Sequence, residues 1–161
     1  MQKITPCLWF NGRAEEAADF YVSVFKDSKI ESISRYGEEG AKASGMQAGS
    51  VMTVKLQIDG EEFLALNGGP KFTFSPAVSF IVNCGTQEEI DHLWETLSEG
   101  GAKEECGWIR DKYGVSWQIV PTVLDELLSD PDPAVTERVM RAMLKMKKPD
   151  IRALESAYNG E

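Results

Sequence analysis

The clearest pattern in the chain is the alternation of apolar and polar positions in two short segments. Every second residue from Met52 to Ile58 is apolar, which predicts a half-buried strand. Residues 115–119 alternate in the same way, so that apolar side chains point to one face while Ser116 and Gln118 point to the other. Each segment is therefore expected to pack a core on one face. The opposite face of the second strand carries a hydroxyl and an amide.

A regular order of elements leads up to the first of these strands. An apolar run predicts a strand over residues 3–10, and the spacing of alanines and aromatic residues predicts a helix from Asn11-Gly12 to Phe25. Residues 29–36 are expected to be extended. Residues 37–50 are rich in Gly, Glu, Ala and Ser, which predicts a loop or a mobile lid.

The first half ends in a hairpin, and the same order of elements then follows a second time. Asp59-Gly60 predicts a tight turn into the last strand of the first half, over residues 62–67. A new strand is predicted over residues 77–84, and residues 86–89 read Thr-Gln-Glu-Glu, a capping box that begins a second helix. Short strands are expected over residues 103–120. The chain therefore predicts strand, helix and three strands, given twice.

This repeat indicates an α+β fold made of paired βαβββ modules that form a cupped mixed sheet. Module one is expected over about residues 1–70, module two over about residues 75–122 and a helical tail over about residues 123–161, all within a single domain of 161 residues. Each half exposes one face of its small sheet, so the two halves are expected to pair around a cup-shaped cavity.

The tail is expected to form two helices. Pro133 begins the first helix, and Pro149 precedes a second, shorter one that ends at Asn159-Gly160. Their apolar residues occur at helical spacing, which predicts helices docked on the surface or used as a dimer contact. The predicted apolar positions are Val135, Val139, Met140, Met143 and Leu144 on the first helix, and Ile151, Leu154 and Tyr158 on the second.

Charge and composition exclude several classes of function. A formal net charge of −9 argues against a nucleic-acid partner, because phosphates would be repelled. No apolar run approaches the roughly 20 residues that a membrane span needs, and no signal peptide is recognisable, so no membrane partner and a cytoplasmic location are expected. Three widely spaced cysteines predict reduced thiols rather than a disulfide framework or a zinc site.

The chain resembles the PhnB-like family of the vicinal oxygen chelate superfamily, which includes glyoxalase I, bleomycin-resistance proteins and extradiol dioxygenases. The resemblance is carried by residues 8–12 with 14–17, by residues 107–121 and by the tail residues 144–148. Members of this group often carry the label 3-demethylubiquinone-9 3-methyltransferase. The resemblance implies paired βαβββ modules, usually in a homodimer.

The resemblance also implies where a metal would bind. Superfamily members that use a metal take one ligand from each of four strands, and the matching positions here are Pro6, Ala65, Ala77 and Gln118. Three of these have no donor side chain, and an amide oxygen alone does not hold a divalent transition metal. Shifting the match by one or two residues gives Thr5, Asn67 and Ser79, but no imidazole or carboxylate. The sole histidine, His92, is expected on a solvated helix surface. We therefore expect no metal and no cofactor.

The resulting hypothesis is a metal-free cup that binds a small molecule through aromatic walls and a few neutral polar groups. One alternative is an enzyme, either a divergent metal-dependent isomerase or lyase or a methyltransferase; another is a structural dimerisation module. No catalytic residue is assigned. The expected ligand-contacting residues are Phe10, Thr53, Asn67, Ser79, Ser116 and Gln118, with Phe74 and Trp108 near the rim.

Overall fold

Each half of the chain folds into a four-stranded mixed sheet with a helix packed on one face. The computed structural model describes residues 2–161. Its contacts divide the chain into two units, unit one at residues 1–74 and unit two at residues 75–161. Both units contain strand, helix and three strands in that order. Unit one has one additional short helix between its second and third strands, and unit two ends in three further helices. The predicted α+β class and the repeated βαβββ order are confirmed.

Unit one forms a sheet in the order β1-β4-β3-β2. Strand β1 runs parallel to β4, and the remaining neighbours are antiparallel. The turn between β3 and β4 is the predicted Asp59-Gly60 hairpin, in which both residues have positive φ angles of 49° and 81°. The elements are β1 (Cys7–Phe10), α1 (Ala14–Val24), β2 (Lys29–Arg35), α2 (Glu38–Ser44), β3 (Val51–Ile58) and β4 (Glu61–Asn67).

Helix α1 covers one face of this sheet with small and aromatic residues spaced three or four apart. The side chains of β3 and β4 that face α1 are buried, and they include Val54, Leu56 and Ala65. The alternate side chains, among them Thr53 and Leu66, lie on the sheet face that points away from α1. This second face is called the distal face of unit one.

Two segments of unit one differ from the prediction. Strand β1 begins at Cys7 rather than at residue 3, because Pro6 has no N–H to donate to a neighbouring strand. The predicted loop at residues 37–50 contains the short helix α2. Two glutamates in its first turn interact favourably with the helix dipole, and Gly45, with φ of 75°, ends it.

Unit two forms a second sheet in the order β5-β8-β7-β6, with β5 parallel to β8. Among residues 2–161, no helix is long and apolar enough to cross a lipid bilayer. The elements are β5 (Ser79–Cys84), α3 (Gln87–Leu97), β6 (Ala102–Lys103), β7 (Trp108–Arg110), β8 (Ser116–Pro121), α4 (Val123–Leu128), α5 (Pro133–Leu144) and α6 (Ile151–Asn159).

Helix α3 begins and packs as its sequence predicts. The Thr86 hydroxyl oxygen accepts a hydrogen bond from the Glu89 N–H at 3.2 Å, which satisfies one free donor of the first turn. The helix buries Trp94 and three aliphatic residues against the sheet. On the sheet, Trp117 and Ile119 are buried and face α3. The opposite sheet face is called the distal face of unit two.

The turn between β7 and β8 is held by a buried carboxylate. Asp111 is only 2% exposed. One of its oxygens accepts hydrogen bonds from the N–H groups of Tyr113 and Val115 at 2.9 and 3.0 Å, and the other accepts one from Trp117 Nε1 at 2.9 Å. The turn itself is predicted by its Lys-Tyr-Gly sequence, but the bond to the Trp117 indole is not.

The helical tail that follows β8 is attached to the rest of unit two through backbone hydrogen bonds. The N–H groups of Cys106 and Gly107 donate to the carbonyls of Met146 and Lys147 at 2.9 and 2.8 Å. Farther along, hydrogen bonds from Gln87 and Lys148 hold the pKa of Asp91 below its usual value. The end of α5 is therefore fixed to the segment that precedes β7.

The predicted apolar stripe of α5 is only partly buried. Val139 and Met143 pack against Leu127 and Leu154 in the core of the tail. Met140 and Leu144 are exposed, because the tail core contacts only one side of α5. The three cysteines are free thiols, as predicted.

Replacing Asp111 with alanine is expected to lower the free energy of unfolding by about 3 kcal/mol. The Trp117 indole and two backbone N–H groups would lose their buried acceptor, and each unsatisfied buried donor costs on the order of 1–3 kcal/mol. Urea denaturation followed by circular dichroism measures the loss. The control is Asp19→Ala on the exposed surface of α1, expected to change stability by less than about 0.5 kcal/mol. Equal losses in the two variants would contradict the role of Asp111.

Candidate functional site

A cavity of about 520 Å³ lies at the end of the sheet of unit one, where β1 and β4 finish. Its volume falls within the range of roughly 300–1,000 Å³ that is typical of small-molecule sites. Trp9 and Leu66 contribute distal-face side chains, and Tyr36 closes one side. The full lining consists of Trp9, Tyr36, Ser44, Leu66, Gly68, Pro70 and Lys71.

The Trp9 ring is held against the loop that follows β4. Its Nε1 donates to the Gly69 carbonyl at 2.9 Å, and Phe72 meets the ring edge-on at a centroid distance of 5.0 Å. Gly68 lies directly beneath the ring, since a Cβ at this position would be 2.4 Å from indole carbons. The absence of a side chain at Gly68 therefore lets the indole pack on the backbone and form a flat wall.

Asn67 connects the cavity wall to helix α1. It is 4% exposed, and its Oδ1 accepts from the Ala14 N–H at 2.9 Å while its Nδ2 donates to the Val51 carbonyl at 3.1 Å. Its backbone carbonyl accepts a hydrogen bond from the Tyr36 hydroxyl. Asn67 therefore satisfies a free donor at the start of α1 and fixes the tyrosine that lines the cavity.

The strand parity inferred from the sequence is wrong for Phe10 and Asn67. In the register of β1 and β4, Phe10 lies beside Asn67, and both side chains are buried on the α1 side of the sheet. Phe74 packs edge-on against Phe10 at a centroid distance of 5.3 Å. Thr53 lies on the distal face as expected, where its hydroxyl is hydrogen-bonded to that of Ser34.

The cavity residues Trp9, Tyr36 and Leu66 are absent from the sequence-based set. Trp9 lies between two buried residues of β1, and Leu66 lies between two buried residues of β4. The only signal that could have identified them is their position out of phase with those buried neighbours. That signal is weak, because Trp9 and Leu66 are themselves apolar. Tyr36 has no comparable signal, since it follows the end of β2.

Four of the predicted residues do lie together on the distal face of unit two. Ser79 of β5 is the register partner of Ser116 of β8, and Gln118 of β8 is the partner of Trp108 of β7. Gln118 Nε2 donates to the Ser79 Oγ at 2.9 Å. The alternation in β8 therefore predicts which side chains share this face. That they contact a ligand stays a prediction.

The comparisons with known proteins agree with this architecture. The family model for 3-demethylubiquinone-9 3-methyltransferase matches residues 2–120. The chain belongs to this family. The match ends within β8, so helices α4–α6 of this 3-demethylubiquinone-9 3-methyltransferase family member lie beyond the matched part. The resemblance inferred from the sequence is confirmed. None of the curated proteins compared is significantly similar to the chain.

Two solved structures illustrate the similarity. A PhnB protein from Bacillus cereus, which provisionally carries the same methyltransferase description, is 41% identical, and the match covers 75% of this chain and 100% of that one with a TM-score of 0.67. Protein PA1353 from Pseudomonas aeruginosa is 22% identical over 75% of this chain and 98% of that one, with a TM-score of 0.60. The second similarity shows the shared fold alone.

The donor groups of this family member do not fit a metal. Among the four positions that the superfamily resemblance implies, Ala65 is buried on the α1 side, and neither Pro6 nor Ala77 has a donor side chain. Within residues 2–161, no three histidine, cysteine, aspartate or glutamate side chains lie close enough together to hold an ion. His92 is exposed on α3. No chemical step is therefore assigned to a metal.

Replacing Gly68 with alanine is expected to displace the Trp9 ring and to lower the free energy of unfolding by about 2 kcal/mol. The added methyl group would overlap the indole, and overpacking of this kind typically costs roughly 1–3 kcal/mol. Near-ultraviolet circular dichroism detects a change in the environment of the Trp9 ring. Thermal unfolding measures the change in stability. The control is Gly85→Ala, because a Cβ at Gly85 meets no atom within 4 Å. Unchanged spectra and stability in the Gly68 variant would rule out this packing.

Proposed function

We propose that this protein binds a small, flat, largely apolar organic molecule in the cavity of unit one without using a metal. The cavity itself carries the proposal, because its volume suits a ligand of one or two rings. Its walls are mainly the Trp9 ring, the Tyr36 ring and the Leu66 side chain. Aromatic rings of this kind stack on flat ligands at centroid distances of roughly 4.5–7 Å.

The polar groups around the cavity favour binding over acid–base catalysis. The Tyr36 hydroxyl already donates a hydrogen bond to the Asn67 backbone carbonyl. Lys71 is exposed, and its ammonium lies 5.4 Å from the centre of the Phe72 ring. Neither group forms the pair of hydrogen-bonded titratable side chains that typically carries out general acid–base catalysis.

Filling the cavity is expected to abolish binding of a neutral, flat probe such as 2-naphthol. Leu66→Trp places a larger side chain in the cavity wall, so the affinity should fall at least tenfold in isothermal titration calorimetry. The matched control is Leu64→Trp, because Leu64 lies on the same face of β4 but does not line the cavity. Addition of EDTA should leave the wild-type affinity unchanged.

Two results would overturn the proposed function. The first is that Leu66→Trp binds 2-naphthol as tightly as the wild type does. The second is that EDTA removes binding and a divalent ion restores it, which would indicate the metal-dependent enzyme considered above.

Methyl transfer is the second candidate, and the family description favours it. Methyl donors such as nucleoside sulfonium compounds are commonly held by a glycine-rich turn between a strand and a helix. The Gly68-Gly69 pair follows β4, but residues 70–78 contain no helix and lead directly to β5. This turn therefore does not fit such a donor, and we place methyl transfer behind simple binding. Saturable binding of S-adenosylmethionine in the same titration would reverse that order.

We also propose that the protein forms a homodimer through the edge of β5. Among residues 2–161, β5 pairs only with β8, so the N–H and C=O groups along its other edge have no strand partner there. Val78, which precedes β5, and Ile81, on the distal face of β5, are 69% and 57% exposed. Exposed apolar edges of this kind are typically covered by another chain.

Sedimentation equilibrium tests the homodimer. The wild type is expected to sediment at twice the mass of one chain, and Ile81→Lys should shift it to the monomer by burying a charge at the interface. Leu144→Lys, at an exposed position of α5, should leave the mass unchanged. A monomeric wild type would overturn the homodimer proposal but not the proposal that the cavity binds a ligand. A dimer that binds none of the probes would favour the structural-module hypothesis.

A further inference from the structure

Three polar side chains form a row across the distal face of unit two. Ser79 of β5 is the register partner of Ser116 of β8, and Ser116 is in turn the partner of Arg110 of β7. Side chains of register partners point to the same face of a sheet, and neighbouring strands are roughly 4.8 Å apart. The two hydroxyls and the guanidinium therefore lie side by side over about 10 Å.

All three members of the row have hydrogen-bond donors that no other residue uses. The Arg110 side chain is exposed and forms no hydrogen bond or ion pair with any residue from 2 to 161. The Ser116 hydroxyl has no partner in that part of the chain either, although the residue is only 2% exposed. Ser79 accepts from Gln118 through its Oγ, which leaves its own O–H free to donate.

The carboxylate next to Arg110 in the sequence does not neutralise it by contact. Asp111 is buried, and both its oxygens already accept hydrogen bonds, including one from the core residue Trp117. The Asp111 carboxylate points to the side of the sheet where Trp117 lies, whereas Arg110 shares the distal face with Ser116, so the two charged groups diverge. The row therefore presents a positive charge and two hydroxyl groups but no carboxylate, in a chain whose net charge is −9.

A second row beside the first suits the uncharged part of a ligand. Trp108 and Gln118 are register partners, two residues along from Arg110 and Ser116 on the same face. The Trp108 ring can stack on a flat group. Arginine and hydroxyl donors bind carboxylates through short, charge-assisted hydrogen bonds.

From this arrangement we infer that the distal face of unit two binds an aromatic carboxylate. The Arg110 guanidinium and the Ser79 hydroxyl bind the carboxylate, and Trp108 packs on the ring. This inference goes beyond the proposed function, because none of its residues lines the cavity of unit one. It adds a charged ligand class and a second set of contacts.

Benzoate and benzamide make a matched pair of probes, since they share a ring and differ in charge. Titrations followed by amide chemical shifts should show benzoate binding at least tenfold more tightly than benzamide. Arg110→Gln should weaken benzoate at least tenfold and leave benzamide unchanged. Ser79→Ala should weaken benzoate by about threefold, since it removes one neutral hydrogen bond.

Arg152→Gln is the matched control. Arg152 is exposed on α6, has no partner among residues 2–161, and its replacement removes the same charge far from β7 in the sequence. It should leave both affinities unchanged. The unfolding midpoint of Arg110→Gln should equal that of the wild type, because the Arg110 side chain contributes no hydrogen bond or ion pair to the fold among residues 2–161.

The failure of this inference can be distinguished from a failure of the proposed function. Equal benzoate affinity in Arg110→Gln and wild type, an equal loss in Arg152→Gln, or no benzoate binding at all would overturn the inference. If Leu66→Trp abolishes benzoate binding while Arg110→Gln does not, the anion binds in the cavity of unit one. The aromatic carboxylate site would then be wrong, and the cavity proposal would stand.

Discussion

The constraint on which both units depend is that a single helix buries only one face of each sheet. Alternate side chains of every strand must therefore satisfy opposite environments, one packed against α1 or α3 and the other directed away from it. On the helix side the requirement is tight packing, which Leu56, Trp94 and Ile119 meet by being almost wholly buried. The distal side does not require tight packing against a helix, so polar and aromatic residues can occupy it.

Polar groups on the packed side are accepted only where every donor and acceptor is used. Asn67 and Asp111 are the clearest examples, one at the end of β4 and the other at the turn before β8. Each uses a buried side chain to bind backbone groups that would otherwise lie unpaired in the core. They also hold the loops that border Tyr36 and β7. The same residues that stabilise the two units therefore position the candidate sites.

The sequence predicts the repeated order of elements well, because hydrophobic period and turn chemistry are local. The distal face of unit two is predictable for the same reason, since Ser116 and Gln118 contrast sharply with their apolar neighbours in β8. Strand β1 gives no such contrast, because Leu8, Trp9 and Phe10 are all apolar.

The remaining differences arise from contacts between residues far apart in the chain. Asn67 was expected to face a ligand, but it points toward Ala14, which is 53 residues away. Sequence position alone does not reveal that the start of a helix needs this acceptor. The exposure of Met140 and Leu144 has a similar origin, because it depends on how α4 and α6 contact α5. Helix α2 was missed because its glycines are typical of loops.

The contact between Trp9 and Gly68 links a position on β1 to one in the loop that follows β4, in a different part of the sequence. An indole at one position leaves room only for glycine at the other. During evolution the two positions cannot drift independently: a smaller residue must replace the tryptophan before the glycine can acquire a side chain. Homologues that changed both together would have a cavity of different depth, so this pair would separate subgroups with different ligands.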